Sequence, residues 1–136
     1  MIRVILDTNV VVSALLSPHG PPGLILDLVL DGALEVAQTP RIVAEYRDVL
    51  ARPRFALDPA EVEHVLGFLE NEGVAAIAPP WPMALPDPAD GEFLACAAAA
   101  AAILISGNLR HFPARSRRGV DVMSPRAFVD RLQSSV

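Results

Sequence analysis

The chain opens with MIRVILDTNVVVSALL, residues 1–16, an apolar stretch that contains a single acid, Asp7. The run IRVIL at 2–6 is almost continuously apolar, as buried parallel strands are, and the residues that follow predict a helix over 9–16. Asp7 therefore stands where the strand ends. It is either the N-cap of the helix or part of a site, because ligands of open α/β sheets collect beyond the carboxyl ends of the strands.

Short apolar runs alternate with helical patterns along the rest of the chain. Four times an N-cap residue is followed by proline, the usual start of a helix: Thr39-Pro40, Asp58-Pro59, Asp87-Pro88 and Ser124-Pro125. Strands are predicted at 2–6, 34–37, 74–78, 102–106 and 120–123, and helices at 9–16, 22–31, 40–51, 59–72, 88–101 and 125–133. Strands that alternate with helices are joined by right-handed crossovers. The order predicts an α/β protein, a three-layer α/β/α sandwich with a mostly parallel central sheet.

The composition indicates a globular cytoplasmic protein. Its 136 residues, 52% hydrophobic and 20% charged, fit a single domain over 1–136 and are not typical of disorder. The longest uncharged apolar run, 93–105, is shorter than the roughly 20 residues that span a bilayer, and we expect a buried helix that runs into a strand. No convincing signal peptide is found, and the lone Cys96 forms no internal disulfide. We therefore expect no membrane contact.

Charge is distributed unevenly along the sequence. The formal net charge of −5 is not that of a generic nucleic-acid binder, and the absence of lysine excludes Schiff-base chemistry and a Walker-type P-loop. The segment 110–118 nevertheless holds four of the eleven basic residues: Arg110, Arg115, Arg117 and Arg118. This segment is either a solvated loop or, since it follows a predicted strand end, a surface that meets RNA phosphates.

Glu45 lies on the predicted helix over 40–51, at the margin of the apolar stripe formed by Ile42, Val49 and their neighbours. A residue at the margin can reach past the core to a site at its edge. An isolated Glu at this position would ordinarily be a solvated flank residue, paired weakly with Arg41. Both interpretations are open from the sequence.

Two further acids, Asp87 and Asp90, stand at the start of the predicted helix over 88–101. Capping explains Asp87 completely. Asp90 shares helical spacing with Leu94 and Ala97, so it is expected to face the packed side, where an acid needs a counter-charge.

Acids that gather without a counter-cation repel one another and raise their own pKa values. Because lysine is absent and no Cys or His cluster exists, the expected counter-charge is a hard, oxygen-seeking ion, Mg²⁺ or Mn²⁺. Such an ion activates water and stabilises charge on a phosphoryl group. Phosphodiester hydrolysis is therefore a fitting reaction for such a site.

Four motifs together, LDTNVVVSAL, the helix bearing Glu45, DPADGEFLACA and LISGNLRHF, resemble a PIN domain, in particular the small prokaryotic proteins of VapC type. The resemblance covers nearly the whole chain and rests on the order and spacing of all four motifs, since DTN alone is weak. It implies a metal-dependent ribonuclease with a parallel-sheet α/β/α fold, usually a homodimer. Such proteins are the toxin halves of toxin-antitoxin pairs, and many are neutralised by an antitoxin.

Carried onto this sequence, the resemblance makes Asp7, Glu45 and Asp90 the catalytic metal ligands, with Asn9 as a polar support for Asp7 or for substrate. Relatives often have a further acid at the residue after the glycine of the last motif, or three residues later. This chain has Asn108 and His111 at those positions.

Asn108 is expected to hold a substrate phosphate, or a metal ion through water. Asp87 is expected to compensate in part for the missing acid, as a further metal ligand. The four arginines of 110–118 then bind RNA. The function implied is hydrolysis of single-stranded RNA by a Mg²⁺- or Mn²⁺-dependent endoribonuclease. The alternative is a PIN-fold module with weakened catalysis that binds RNA or protein.

Overall fold

A computed structural model describes residues 1–134, so the last two residues of the predicted domain lie outside the described residues. Five parallel strands form one sheet in the order β3-β2-β1-β4-β5, with β1 at its centre. The strands are β1 (Arg3–Leu6), β2 (Glu35–Gln38), β3 (Val74–Ala75), β4 (Ile103–Ile105) and β5 (Val122–Met123). All five lie within the predicted ranges or extend them by one residue.

Helices connect the strands and cover the sheet, which confirms the predicted three-layer α/β/α sandwich. The α-helices are α1 (Thr8–Leu16), α2 (Pro21–Leu30), α3 (Pro40–Leu50), α4 (Pro59–Glu72), α5 (Gly91–Ala100) and α6 (Pro125–Ser134). Short 3₁₀ turns occur at Pro53–Phe55, Pro88–Asp90, Leu109–His111 and Ala114–Ser116. No helix within residues 1–134 is long and apolar enough to cross a bilayer.

The third strand is shorter than the prediction of 74–78. β3 is the edge strand beside β2, and its pairing ends when the backbone N–H of Ala76 donates to the carbonyl of Gln38 at 2.8 Å. Ile77 is then 96% exposed. Pro79 and Pro80 follow and have no N–H to donate, so the ladder has no continuation.

The apolar run 93–105 is a buried helix followed by a strand, as predicted. α5 packs against β1, β2 and β4, and its Ala and Cys side chains are small enough for the helix to lie close to the sheet. The helix ends at Ala101, which adopts a left-handed conformation (φ 53°) and turns the chain into β4.

The register of the sheet brings the ends of β1 and β4 together. Leu6 pairs with Ile105, and the backbone N–H of Asp7 donates to the carbonyl of Ile105 at 2.9 Å. The residues that follow these two strands, Asp7 and Ser106, therefore lie at the same edge of the sheet. α3 begins at that edge too, because it directly follows β2.

Candidate active site

Asp7 occupies the N-cap position of α1, but its side chain makes no capping hydrogen bond. Its Oδ2 instead accepts from the hydroxyl of Ser106 at 2.7 Å and from Nδ2 of Asn9 at 3.2 Å. Asp7 and Ser106 are both buried. Of the two interpretations of Asp7, the hydrogen bonds favour a residue directed toward the strand ends over a simple helix cap.

A small hydrogen-bond network fastens the segments after β1 and β4 to each other. Oδ1 of Asn9 accepts from the backbone N–H of Gly107 at 3.0 Å, and the Ser106 hydroxyl accepts from the N–H of Asn108 at 3.0 Å. A Cβ at position 107 would lie 3.2 Å from Asn9 Oδ1, so glycine permits this close approach. Asn9 supports Asp7 directly, in the geometry expected of a positioning residue.

Glu45 reaches the same region from α3. The hydroxyl of Thr8 donates to Glu45 Oε2 in a short hydrogen bond, which ties α3 to the start of α1. The neighbouring Tyr46 is fully buried and donates to the carbonyl of Leu6, the last residue of β1. Glu45 is half-buried, as predicted for the margin of the stripe, and its hydrogen-bond partner is Thr8 rather than Arg41.

Asp90 stands at the end of the 3₁₀ turn before α5, with its side chain only 14% exposed. Its Oδ2 is fully buried and accepts no hydrogen bond. Nδ1 of His111 lies 2.9 Å from that oxygen, but the two groups do not have hydrogen-bond geometry. His111 neutralises the charge of Asp90 only when its imidazole is protonated, so this partly buried carboxylate has no permanent counter-charge within the described residues.

The pKa values of Asp7 and Asp90 are both raised, mainly by burial and in part by neighbouring acids. Burial raises the pKa of Asp90 to about 6, with further increases from the charges of Asp7 and Asp87 and a smaller opposing effect of His111. Burial also raises the pKa of Asp7; the hydrogen bonds from Ser106 and the Thr8 backbone lower it, and the charge of Glu45 raises it. Asp7 therefore lies within electrostatic range of both Glu45 and Asp90.

The donor set fits a hard divalent cation, although its members are not gathered around one point. Among residues 1–134, no three acidic, histidine or cysteine side chains converge closely enough to enclose an ion. Two buried carboxylates whose pKa values are raised by burial and by neighbouring acids are what a cation would stabilise. Asp7, Glu45 and Asp90 therefore stay the predicted ligands of such an ion.

Asp87 is exposed and caps the 3₁₀ turn, because its Oδ1 accepts from the backbone N–H of Ala89 at 3.0 Å. The predicted helix over 88–101 thus begins with a 3₁₀ turn, and the α-helix proper starts at Gly91. One oxygen of Asp87 is used in this cap, and the negative charge of Asp87 raises the pKa of Asp90.

The arginine-rich segment follows the site directly and consists of two 3₁₀ turns, Leu109–His111 and Ala114–Ser116. Its exposed members are Arg110, Arg115 and Arg118. Arg117 is half-buried, and its Nε donates to the carbonyl of Phe112 at 2.7 Å, which stabilises the segment itself. Three of the four predicted RNA-binding arginines are therefore free to meet a ligand, whereas Arg117 is engaged within the loop.

The sequence did not indicate the hydrogen bonds of the Thr8 and Ser106 hydroxyls or the contact of His111 with Asp90. Each partner is far away in the chain, so no local pattern indicates it. The one available indication is position: Thr8 and Ser106 directly follow β1 and β4, where polar side chains gather.

The chain is similar to one family model and to several known proteins. A family model described as a PIN domain matches residues 3–110. The uncharacterized protein MJ1680 of Methanocaldococcus jannaschii is 46% identical over 44 residues, which are 32% of this chain and only 28% of that relative's length.

Two solved structures share the fold. PAE2754 from Pyrobaculum aerophilum has a TM-score of 0.59 and 12% identity, covering 98% of this chain and 90% of that chain. VapBC2 from Rickettsia felis, bound to a DNA fragment from its promoter, has a TM-score of 0.57 and 14% identity, covering 90% of this chain and 98% of that chain.

Proposed function

Because this chain belongs to the PIN domain family, whose members are generally nucleases that use divalent metal ions, we propose that it is a Mg²⁺- or Mn²⁺-dependent endoribonuclease. The observation that carries the proposal is the buried Asp7 at the end of β1, with Glu45 and Asp90 within range of its charge. The resemblance to VapC-type proteins supports the further proposal that it is the toxin component of a toxin-antitoxin pair.

Each group around the site has a defined task in this proposal. Asp7, Glu45 and Asp90 would hold the ion, and the chemistry it supplies when bound is activation of water and stabilisation of charge on the phosphate. Ser106 and Asn9 keep Asp7 oriented, and the Thr8 hydroxyl orients Glu45. These hydrogen bonds preorganise the carboxylates, although the ion is still needed to offset their repulsion.

The exposed arginines after β4 supply the affinity for RNA. Arg110, Arg115 and Arg118 carry positive charge on a segment that begins next to Asn108, so they are placed to contact the phosphates on either side of the bond that is cleaved. Asn108 is proposed to contact the substrate as well. A single strand fits an open strand-end crevice better than a duplex does, so structured duplex RNA is proposed to be a poor substrate.

The proposed partners are a cognate antitoxin protein and a second copy of the chain. The antitoxin is supported by the resemblance and by the structural likeness to VapBC2. The proposed location is the cytoplasm, where a lone cysteine such as Cys96 stays reduced.

The test is cleavage of a single-stranded RNA by the purified protein in Mn²⁺ or Mg²⁺. We expect Glu45→Gln to abolish cleavage while RNA binding persists, and Glu61→Gln, the same change at an exposed residue of α4, to leave cleavage intact. Replacing Arg110, Arg115 and Arg118 together by Ala should weaken binding and flatten its salt dependence. Cleavage that persists in Glu45→Gln would refute the assignment of the site.

A second candidate function is a PIN-fold module that binds RNA or protein without efficient catalysis. It is favoured by Asn108, which replaces an acid common in relatives, and by the lack of a converged group of ligands within residues 1–134. In the same assay this candidate predicts RNA binding with no cleavage under any divalent metal ion.

A further inference from the structure

A cavity of about 500 Å³ opens between α3, the proline-rich segment 79–87 and the start of α5. Its walls include the apolar side chains of Trp81, Leu85 and Phe93 and three charged groups. The charged groups are Arg41, Glu45 and Glu92. An apolar slot with a few fixed polar groups is typical of a site for a small ligand group rather than of simple core packing.

The cavity is continuous with the candidate active site, because Glu45 lines the one and belongs to the other. Arg41 is exposed at the rim, one helical turn before Glu45, and forms no ion pair with any residue of 1–134. An RNA strand with a phosphate at the acids would bring its neighbouring nucleoside to this opening. Arg41 is then placed to contact the next phosphate.

Trp81 is held rigidly in the wall of the cavity. Its indole Nε1–H donates to the carbonyl of Ser116 at 2.9 Å. Its Cβ lies so close to Gly91 that a Cβ at position 91 would be 3.1 Å away. A ring that is already immobilised loses little conformational entropy when a base stacks on it, and stacking on aromatic rings is a common mode of binding to single-stranded nucleic acids.

Glu92 is the residue that gives the cavity its selectivity. Its Oε1 accepts from the hydroxyl of Thr39 at 2.9 Å, and the Thr39 oxygen accepts from the N–H of Ile42 at 3.2 Å, so the carboxylate is fixed by the start of α3. A carboxylate retains free lone pairs after one such bond. Guanine is the base that presents two adjacent N–H donors, N1–H and N2–H, to a single carboxylate.

We propose that this cavity, beside the acids, binds a guanine base of the RNA strand, with Trp81 as the stacking surface, Glu92 as the acceptor and Arg41 as the phosphate contact. This inference rests on the proposed ribonuclease function. It deepens that function by assigning a base preference next to the cleaved bond.

Trp81 is the only tryptophan of the chain, so its fluorescence reports on the cavity directly. The experiment titrates the Mg²⁺-loaded protein with GMP, AMP, CMP and UMP, which contain no phosphodiester bond to cleave. We expect GMP to quench the emission with at least about fivefold higher affinity than AMP or UMP, the discrimination typical of a bidentate contact. Glu92→Gln should bring the four affinities within about twofold of one another.

Two matched pairs of variants separate the contribution of Glu92 to base selectivity from that of Arg41 to phosphate binding. Glu61→Gln removes the same charge from an exposed position on α4 and should leave the guanine preference unchanged. Arg41→Ala should weaken the binding of all four nucleotides equally. Arg54→Ala, in the 3₁₀ turn after α3, should leave their affinities unchanged. If Glu92→Gln does not fold, Arg41→Ala and wild type still decide between a base-selective and an unselective cavity.

Equal quenching by the four nucleotides, or none, would overturn the inference. Emission that changes with protein concentration but not with nucleotide would also overturn it and assign the cavity to a second copy of the chain. If the protein cleaves RNA but the titration shows no guanine preference, only the assignment of the cavity is refuted. Guanine preference without any cleavage supports the cavity and refutes the nuclease.

Discussion

The hydroxyl of Ser106 donates to Asp7 Oδ2 at 2.7 Å and so joins the ends of β1 and β4, 99 positions apart in the chain. Because a hydrogen bond to an ionised carboxylate favours the charged form, Ser106 opposes the rise that burial causes in the pKa of Asp7. The same hydroxyl oxygen accepts from the N–H of Asn108. One small side chain thus supports both the acid and the backbone beside it.

Ser106→Ala is therefore expected to destabilise the protein by about 1 to 3 kcal/mol near pH 7, because a buried carboxylate loses a donor and the Asn108 N–H loses its acceptor. Urea denaturation measures the change. The matched control is Ser13→Ala, an exposed residue of α1, which should change stability by less than about 0.5 kcal/mol. Equal stability of Ser106→Ala and wild type would show that this hydrogen bond contributes little.

A homodimer is the expected oligomeric state, since the VapC-type resemblance implies one and the surface retains large apolar side chains. Leu16 is 48% exposed and Leu24 41% exposed, on two helices that pack together. Sedimentation equilibrium at micromolar concentration measures the state. Twice the mass of the chain is the expected result, and a strictly monomeric species at all concentrations contradicts it.

The fold could be predicted largely because its local signals agree with one another. The four N-cap side chains before proline, Thr39, Asp58, Asp87 and Ser124, each accept a backbone N–H at the start of the element they precede. The buried strands β1 and β4 are short and almost wholly apolar, and this pattern is typical of buried parallel strands. The end of β3 was not predictable, because Ala76 and Ile77 are apolar and continue the strand pattern, whereas the last bond to β2 is the one from the Ala76 N–H and Ile77 is exposed.

The site was only partly predictable, because the positions of strand ends follow from the fold whereas the path of an irregular loop does not. Asp7 and Ser106 could be placed together from strand ends alone, since neighbouring parallel strands end at the same edge. The contact of His111 with Asp90 could not, because it depends on the path of an irregular loop. Arg117 was predicted to bind RNA together with its neighbours, but only the structure shows that its Nε is used by the Phe112 carbonyl.

Metal binding at Asp7, Glu45 and Asp90 predicts a specific pattern of affinities. Isothermal titration with Mn²⁺ should show that Asp7→Asn and Asp90→Asn each bind at least about tenfold more weakly than wild type, the scale of an altered metal ligand or its support. Asp27→Asn, which removes the same charge from an exposed position on α2, should bind like wild type. Equal affinity in all four proteins would remove the assignment of these ligands.

The raised pKa of Asp90 predicts how stability depends on pH in the absence of metal. Because its folded-state pKa is about 6 and its ordinary value 3.8, the folded protein binds this proton more tightly than the unfolded chain does. The stabilisation is complete below the ordinary value and is lost as the pH rises through about 6. Ionised Asp90 near pH 7, which is partly buried and close to the charges of Asp7 and Asp87, should therefore destabilise the fold.

Asp90→Asn should consequently be more stable than wild type near pH 7 in EDTA, by on the order of 1 kcal/mol after allowance for solvent screening, and the two should converge near pH 4. Thermal or urea denaturation across this range measures the difference. Adding Mg²⁺ should reverse the order, because the ion stabilises the ionised carboxylates of wild type and has one ligand fewer in the variant. A variant that is less stable than wild type in EDTA near pH 7 would mean that ionised Asp90 stabilises the fold, contrary to the burial and repulsion that raise its pKa.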